Sequence, residues 1–107
     1  MQIMTVSALL GALLAVTAAQ AQGIGNIRQR LQFARDVCGS CHGVRDGQTR
    51  SPFATAPTFE AIAKTPGMTA AALTFWLAAH SHPTMPNLIL SSQQLRDVSA
   101  YILSLRD

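Results

Sequence analysis

The chain predicts an all-α fold of three to five short helices in one small domain. Apolar residues recur at three- and four-residue spacing in separate stretches, clusters rich in glycine and proline divide those stretches, and no run alternates as a half-buried strand would. No repeat, low-complexity tract or second domain interrupts the pattern.

Ahead of the helices, Met1 to Ala21 carries no charged side chain and holds an apolar run from Ile3 to Val16. Ala19-Gln20-Ala21 then supplies the small-x-small pattern that a signal peptidase reads. The expectation is an export signal over 1–21, cut before Gln22, and one folded domain over 22–107. An n-region without Lys or Arg departs from the usual pattern, and an uncleaved membrane anchor is the competing reading.

Ile24, Ile27, Leu31, Ala34 and Cys38 share one helical face, so a first helix is expected from about Asn26 into the segment that follows. Gly43 to Pro57, with Gly47, Pro52 and Pro57, reads as a loop. Thr58 to Lys64 is expected to form a short helix ended by Pro66-Gly67. Thr69 is an N-cap candidate for a third helix through Leu73, Trp76, Leu77 and His80, apolar nearly all round and so expected to be buried on more than one side. Pro83 and Pro86 break regular structure around Met85. Ser91 with Gln94 makes a capping box for a last helix striped by Leu95, Val98, Ile102 and Leu105.

The first helix runs into Cys38-Gly39-Ser40-Cys41-His42, and C-x-x-C-H is the attachment signature of a c-type haem. Two thiols at that spacing reach two vinyl groups of one porphyrin, and the adjoining histidine falls on the iron. Two other readings of the bare C-x-x-C stand beside this one. A redox dithiol wants alternating strands and helices around it, which the chain does not offer. A zinc site wants four ligands, and with only two cysteines His80 and His82 would have to complete it. Haem attachment consumes both sulfurs and leaves no cysteine for a structural disulfide.

A domain of this size is marginal on a protein-only core, and a covalently held apolar disc would supply the middle of it. The formal net charge is +3, and all but one of the eight basic residues are arginine. Nothing forms the basic and aromatic face of a nucleic-acid binder.

The order helix, C-x-x-C-H, loop, helix, M-P, terminal helix resembles a class I cytochrome c, in particular the small single-haem bacterial members. Cys38-x-x-Cys41-His42, His82-Pro83-x-Met85-Pro86 and Ala100-Tyr101-Ile102 carry the resemblance. It implies a small cytochrome c fold wrapped around one covalently attached haem c, crossed terminal helices, axial ligation by His42 and Met85, and electron transfer without small-molecule substrate chemistry, so not an enzyme. Pro57 resembles the family's proline whose carbonyl accepts the N–H of the proximal histidine, with Pro52 as the competing candidate. The chain departs from better-known members at Arg30, where a glycine is usual at the helix crossing, at Phe33, and in having Lys64 as its sole lysine.

Met85, set among prolines, is the expected sixth ligand, since a thioether there favours ferrous iron. Met68 is expected to pack at a helix start, while His80 and His82 are the alternative ligands. Arg45, Arg50 and Trp76 are candidates for hydrogen bonds to haem propionates, and Tyr101 is expected to pack between the terminal helices. Three roles fit: a monomeric periplasmic carrier between a membrane respiratory complex and another redox protein, a dedicated cytochrome subunit of a periplasmic oxidoreductase, or an enzyme or sensor with an open sixth position. For a carrier, Arg45 and Arg50 are expected to rim the exposed edge and steer an acidic partner.

Overall fold

A computed structural model describes residues 26–79 and 84–107 of the chain. The expected export segment 1–21, together with Ile24, His80, His82 and Pro83, lies outside the described residues.

Four helices account for the regular structure among the described residues. Helix α1 is helical over 26–37, and its hydrogen-bond ladder continues past that range. Cys38 N–H donates to the Ala34 carbonyl at 2.9 Å, Gly39 N–H to Arg35 at 3.2 Å, and His42 N–H to Cys38 at 2.9 Å. The motif is therefore delivered by the end of a helix rather than by a free loop. Residues 26–29 are exposed, and Ile27 at 59 % exposure is not part of the buried stripe expected of it. The first turn runs beyond the packed body, so burial on α1 begins at Leu31 and is complete at Ala34.

Helix α2, Phe59–Ala63, starts where Thr58 accepts the Ala61 N–H on its side-chain oxygen at 3.1 Å, and it ends at Lys64. Gly67, with φ +79°, supplies the left-handed turn that follows. Helix α3, Ala70–Ala78, is capped by Thr69 in the same way, with Ala72 N–H as donor at 3.1 Å. It ends at Ala78, before the expected His80, because Ala79 is already extended with ψ 129°. Helix α4, Ser92–Ser104, carries the expected capping box between Ser91 and Gln94.

Helix α4 is the centre of the packing. Its Val98, Tyr101 and Ile102, with Leu105 just beyond, form one core with Ala34 of α1, Phe59 and Ala63 of α2, and Leu73 of α3. The terminal helices meet without a glycine. Arg30 of α1 lies 3.7 Å from Asp97 of α4, an ion pair one-third exposed on both sides and therefore weak. Helix α3 corrects the expectation of burial on several sides: Leu73 is its buried residue, while Phe75 and Trp76 are 71 % and 61 % exposed. Among the described residues it packs against α4.

Tyr101 is buried as expected, but its neighbours are not simply the two terminal helices. Its ring lies 6.2 Å from that of Phe59, and its hydroxyl donates to the Val44 carbonyl at 2.5 Å, tying α4 to the segment just after the motif. At the chain's end Arg106 donates to the carbonyls of Ala63 at 3.1 Å and Met68 at 2.5 Å, strapping the end of α4 to the end of α2.

Tyr101→Phe should cost about 1–3 kcal/mol, because it leaves the Val44 carbonyl without its donor. Denaturant titration should show a lower midpoint with an unchanged slope. Burial raises the Tyr101 phenol above its usual value. A raised folded value means that this contribution is complete below the unfolded value of about 10 and is lost as pH rises through the folded value, so the variant should lose less stability in alkali than the parent.

Candidate haem site

The end of α1 places Cys38 and Cys41 on the wall of an apolar cleft of about 250 Å³. Both thiols are unpaired, Cys38 buried and Cys41 half-buried. Burial pushes the Cys38 thiol up to about 11. A redox dithiol works through a thiolate held at low pKa, so this environment speaks against that chemistry.

His42 borders the same cleft, and its orientation is set by the loop that follows. Nδ1 lies 2.6 Å from the Pro57 carbonyl oxygen. A carbonyl only accepts, so Nδ1 carries the proton and Nε2 is left with its lone pair. Pro57, not Pro52, presents its carbonyl to this ring. The Phe59 ring stands 5.7 Å from the imidazole, tilted by 46°. Gly43 holds the loop in register, since its N–H donates to the Ser51 hydroxyl at 3.0 Å and its carbonyl accepts the Phe59 N–H at 2.8 Å. A Cβ at Gly43 would fall 2.8 Å from the Arg50 carbonyl, closer than real side chains come.

From the other end of the sequence, Met85, Pro86 and Leu88 line the cleft too. Cys38, Cys41, His42, Pro57 and Met85, the residues singled out by motif and resemblance, thus border one space. Met68 does not; it packs against the core, and its carbonyl receives Arg106. His80 and His82, needed for the zinc reading and for histidine ligation, lie outside the described residues. Neither Arg45, Arg50 nor Trp76 lines this cleft. Arg45 borders a separate polar recess with Arg35 and Asp46, with His42 standing between the two spaces, and Trp76 shares a small recess with Met85 and Leu88.

Two supporting contacts carry no local sequence signal, and the Lys64 bond to Glu60 beside them is the ordinary i,i+4 helix pair. Phe53 N–H donates to the Cys41 carbonyl at 3.1 Å and pins the loop to the motif. Gly47 N–H donates to Glu60 at 3.1 Å, and Lys64 donates to the same carboxylate at 2.7 Å. Lys64 holds the Glu60 carboxyl below its usual value.

The family model for cytochrome c matches residues 30–106, which hold the motif and every described residue that lines the cleft. The chain belongs to the cytochrome c family. It is 39 % identical over 74 residues to cytochrome c-552 of Bradyrhizobium diazoefficiens, a match that covers 69 % of each chain. No solved structure matches it at a significant level. As a cytochrome c it is a haem electron-transfer protein, and the donor set suits that group: two unpaired thiols, an imidazole with a free nitrogen, a thioether and an uncharged wall.

Gly43→Ala should destabilise the fold by about 1–3 kcal/mol, because the added methyl meets backbone rather than a movable side chain. Thermal melting should report the loss. In ¹⁵N spectra the Nδ1–H of His42 should shift or broaden as the loop that carries Pro57 is displaced.

Proposed function

We propose that this cytochrome c holds one haem c through thioether bonds from Cys38 and Cys41, with His42 and Met85 as its axial ligands. After export and removal of 1–21, it passes single electrons between redox proteins of the periplasm. The observation that carries the reading is the common cleft bordered by both thiols, His42 and Met85. Its described lining contains no Asp, Glu, Lys or Arg, which favours an apolar macrocycle over acid–base chemistry on a substrate. Among the described residues no helix is long and apolar enough to cross a membrane.

When bound, the haem supplies a one-electron iron couple, which a thioether ligand shifts toward the ferrous state. The chain's own residues orient and insulate it. Pro57 fixes the His42 ring and, by accepting its proton, raises the basicity of the opposite nitrogen. Pro86 limits the freedom of the Met85 segment, so less ordering is required to present the sulfur. Val37, Ala56 and Leu88 keep water from the walls.

Mass spectrometry of the exported protein should show a chain beginning at Gln22 with one haem added. Cys38→Ala or Cys41→Ala should each remove one thioether. A native apo form with a Cys38–Cys41 disulfide would overturn the assignment.

Met85→Ala should abolish the weak long-wavelength sulfur-to-iron band of the ferric protein and lower its reduction potential, while Met68→Ala leaves both in place. The opposite pattern would move the ligand to Met68.

A further inference from the structure

We propose that Glu60 is a positioning residue for the electron-transfer site: its carboxylate, bonded to the Gly47 N–H, locks the loop after His42 to the first turn of α2 and so keeps the Pro57 carbonyl on the His42 ring. This rests on His42 being an axial ligand, as proposed above.

The first turn of α2 grips that loop at two separate points. Close to His42, the Gly43 carbonyl accepts the Phe59 N–H at 2.8 Å. At the far bend, the Gly47 N–H donates to Oε2 of Glu60 at 3.1 Å. Phe59 and Glu60 are neighbours, and Pro57 precedes Phe59 by two residues, so one short piece of chain carries both anchors and the carbonyl they serve. A single hydrogen bond is a pivot. Two bonds set apart fix an orientation, so without the second the turn can tilt about Gly43 and carry the Pro57 carbonyl off the ring.

The bend has no packing to replace that bond. Gly47 is exposed, its φ is +73°, and a Cβ there would find no atom within 4 Å. The Gln48 bonds to Arg45 and Arg50 lie within the bend and move with it. Among the described residues, Glu60 supplies the hydrogen bond that joins 45–50 to another element. Lys64 takes Oε1 of the same carboxylate at 2.7 Å, which leaves Oε2 aimed at Gly47. Lys64 also holds the carboxyl below its usual value, so at neutral pH the Gly47 bond ends on an ionised and stronger acceptor. A backbone N–H at 59 comes with any residue other than proline, whereas the second anchor needs this side chain.

The test uses the exported, haem-loaded protein and compares Glu60→Ala, which removes the acceptor, with Glu60→Gln, which keeps an acceptor and removes the charge. In the ferrous state, solvent exchange of the His42 Nδ1–H, read in ¹H–¹⁵N spectra, should be about five-fold faster in Glu60→Ala and within about two-fold of the parent in Glu60→Gln. The α4 amides of Val98 and Ile102 should exchange alike in all three. At about 0.5 M salt, where the lost charge is screened, the reduction potential of Glu60→Ala should lie above that of Glu60→Gln, because a less firmly held Nδ1–H makes His42 a weaker donor to ferric iron. Equal behaviour of the two variants, or α4 amides that speed up by the same factor as the ring proton, would overturn the proposal. Absent haem bands in the visible spectrum of the parent would instead overturn the assignment of His42, and this proposal with it.

Discussion

The hydrogen bond between His42 and the Pro57 carbonyl governs the geometry around it. At 2.6 Å it fixes both the proton position and the plane of the imidazole. It also decides where the chain must run after the motif. The loop has to leave His42, turn through Gly47 with its φ of +73°, and return with a carbonyl pointing at the ring it has just left. The Gly43 bonds to Ser51 and Phe59 and the Phe53 bond to Cys41 close that circuit from within. Helix α2 can begin at Phe59 only because Pro57 has ended the loop there, with Thr58 free to cap.

Few apolar residues are fully buried among the described residues, and long-range side-chain bonds to backbone carbonyls add to the tertiary connections. Tyr101 reaches Val44, and Arg106 reaches Ala63 and Met68. Each joins α4 to a segment far away in sequence, so each closes a large loop whose entropy cost is offset only by a bond made in the folded state. Helix α4 is thus both the main apolar wall and the frame to which the site-bearing segments are tied.

Elements with local causes were legible in the sequence. The caps at Thr69 and Ser91 follow from hydroxyl chemistry at helix starts, and the stripe of α4 from its period, whereas Thr58, expected as the first helical residue, is itself a cap. The motif was readable from spacing alone. Choosing Pro57 over Pro52 was different: both are loop prolines with identical local signals, and only a family resemblance separated them. Periodicity overstated burial at Ile27 and on α3, because a period reports which residues share a face but not whether another element covers it. The Tyr101, Arg106 and Glu60 bonds end on backbone carbonyls or N–H groups, which every residue has, so no pattern announces them.

Electron transfer asks a site to change charge without changing shape. Around this cleft the supporting bonds run from N–H groups and an imidazole to carbonyl and hydroxyl oxygens, and the described lining carries no formal charge. The ion pairs, Arg30 with Asp97 and Lys64 with Glu60, stand on outer faces where water screens them. A change of one charge within the cleft therefore meets fixed backbone dipoles, already oriented by the fold, rather than mobile charged side chains that would have to rearrange. On the two sides of the cleft formed by the Pro57 loop and the Met85 segment, that absence of charge follows from the composition of 51–59 and 65–95, which contain no Asp, Glu, Lys or Arg.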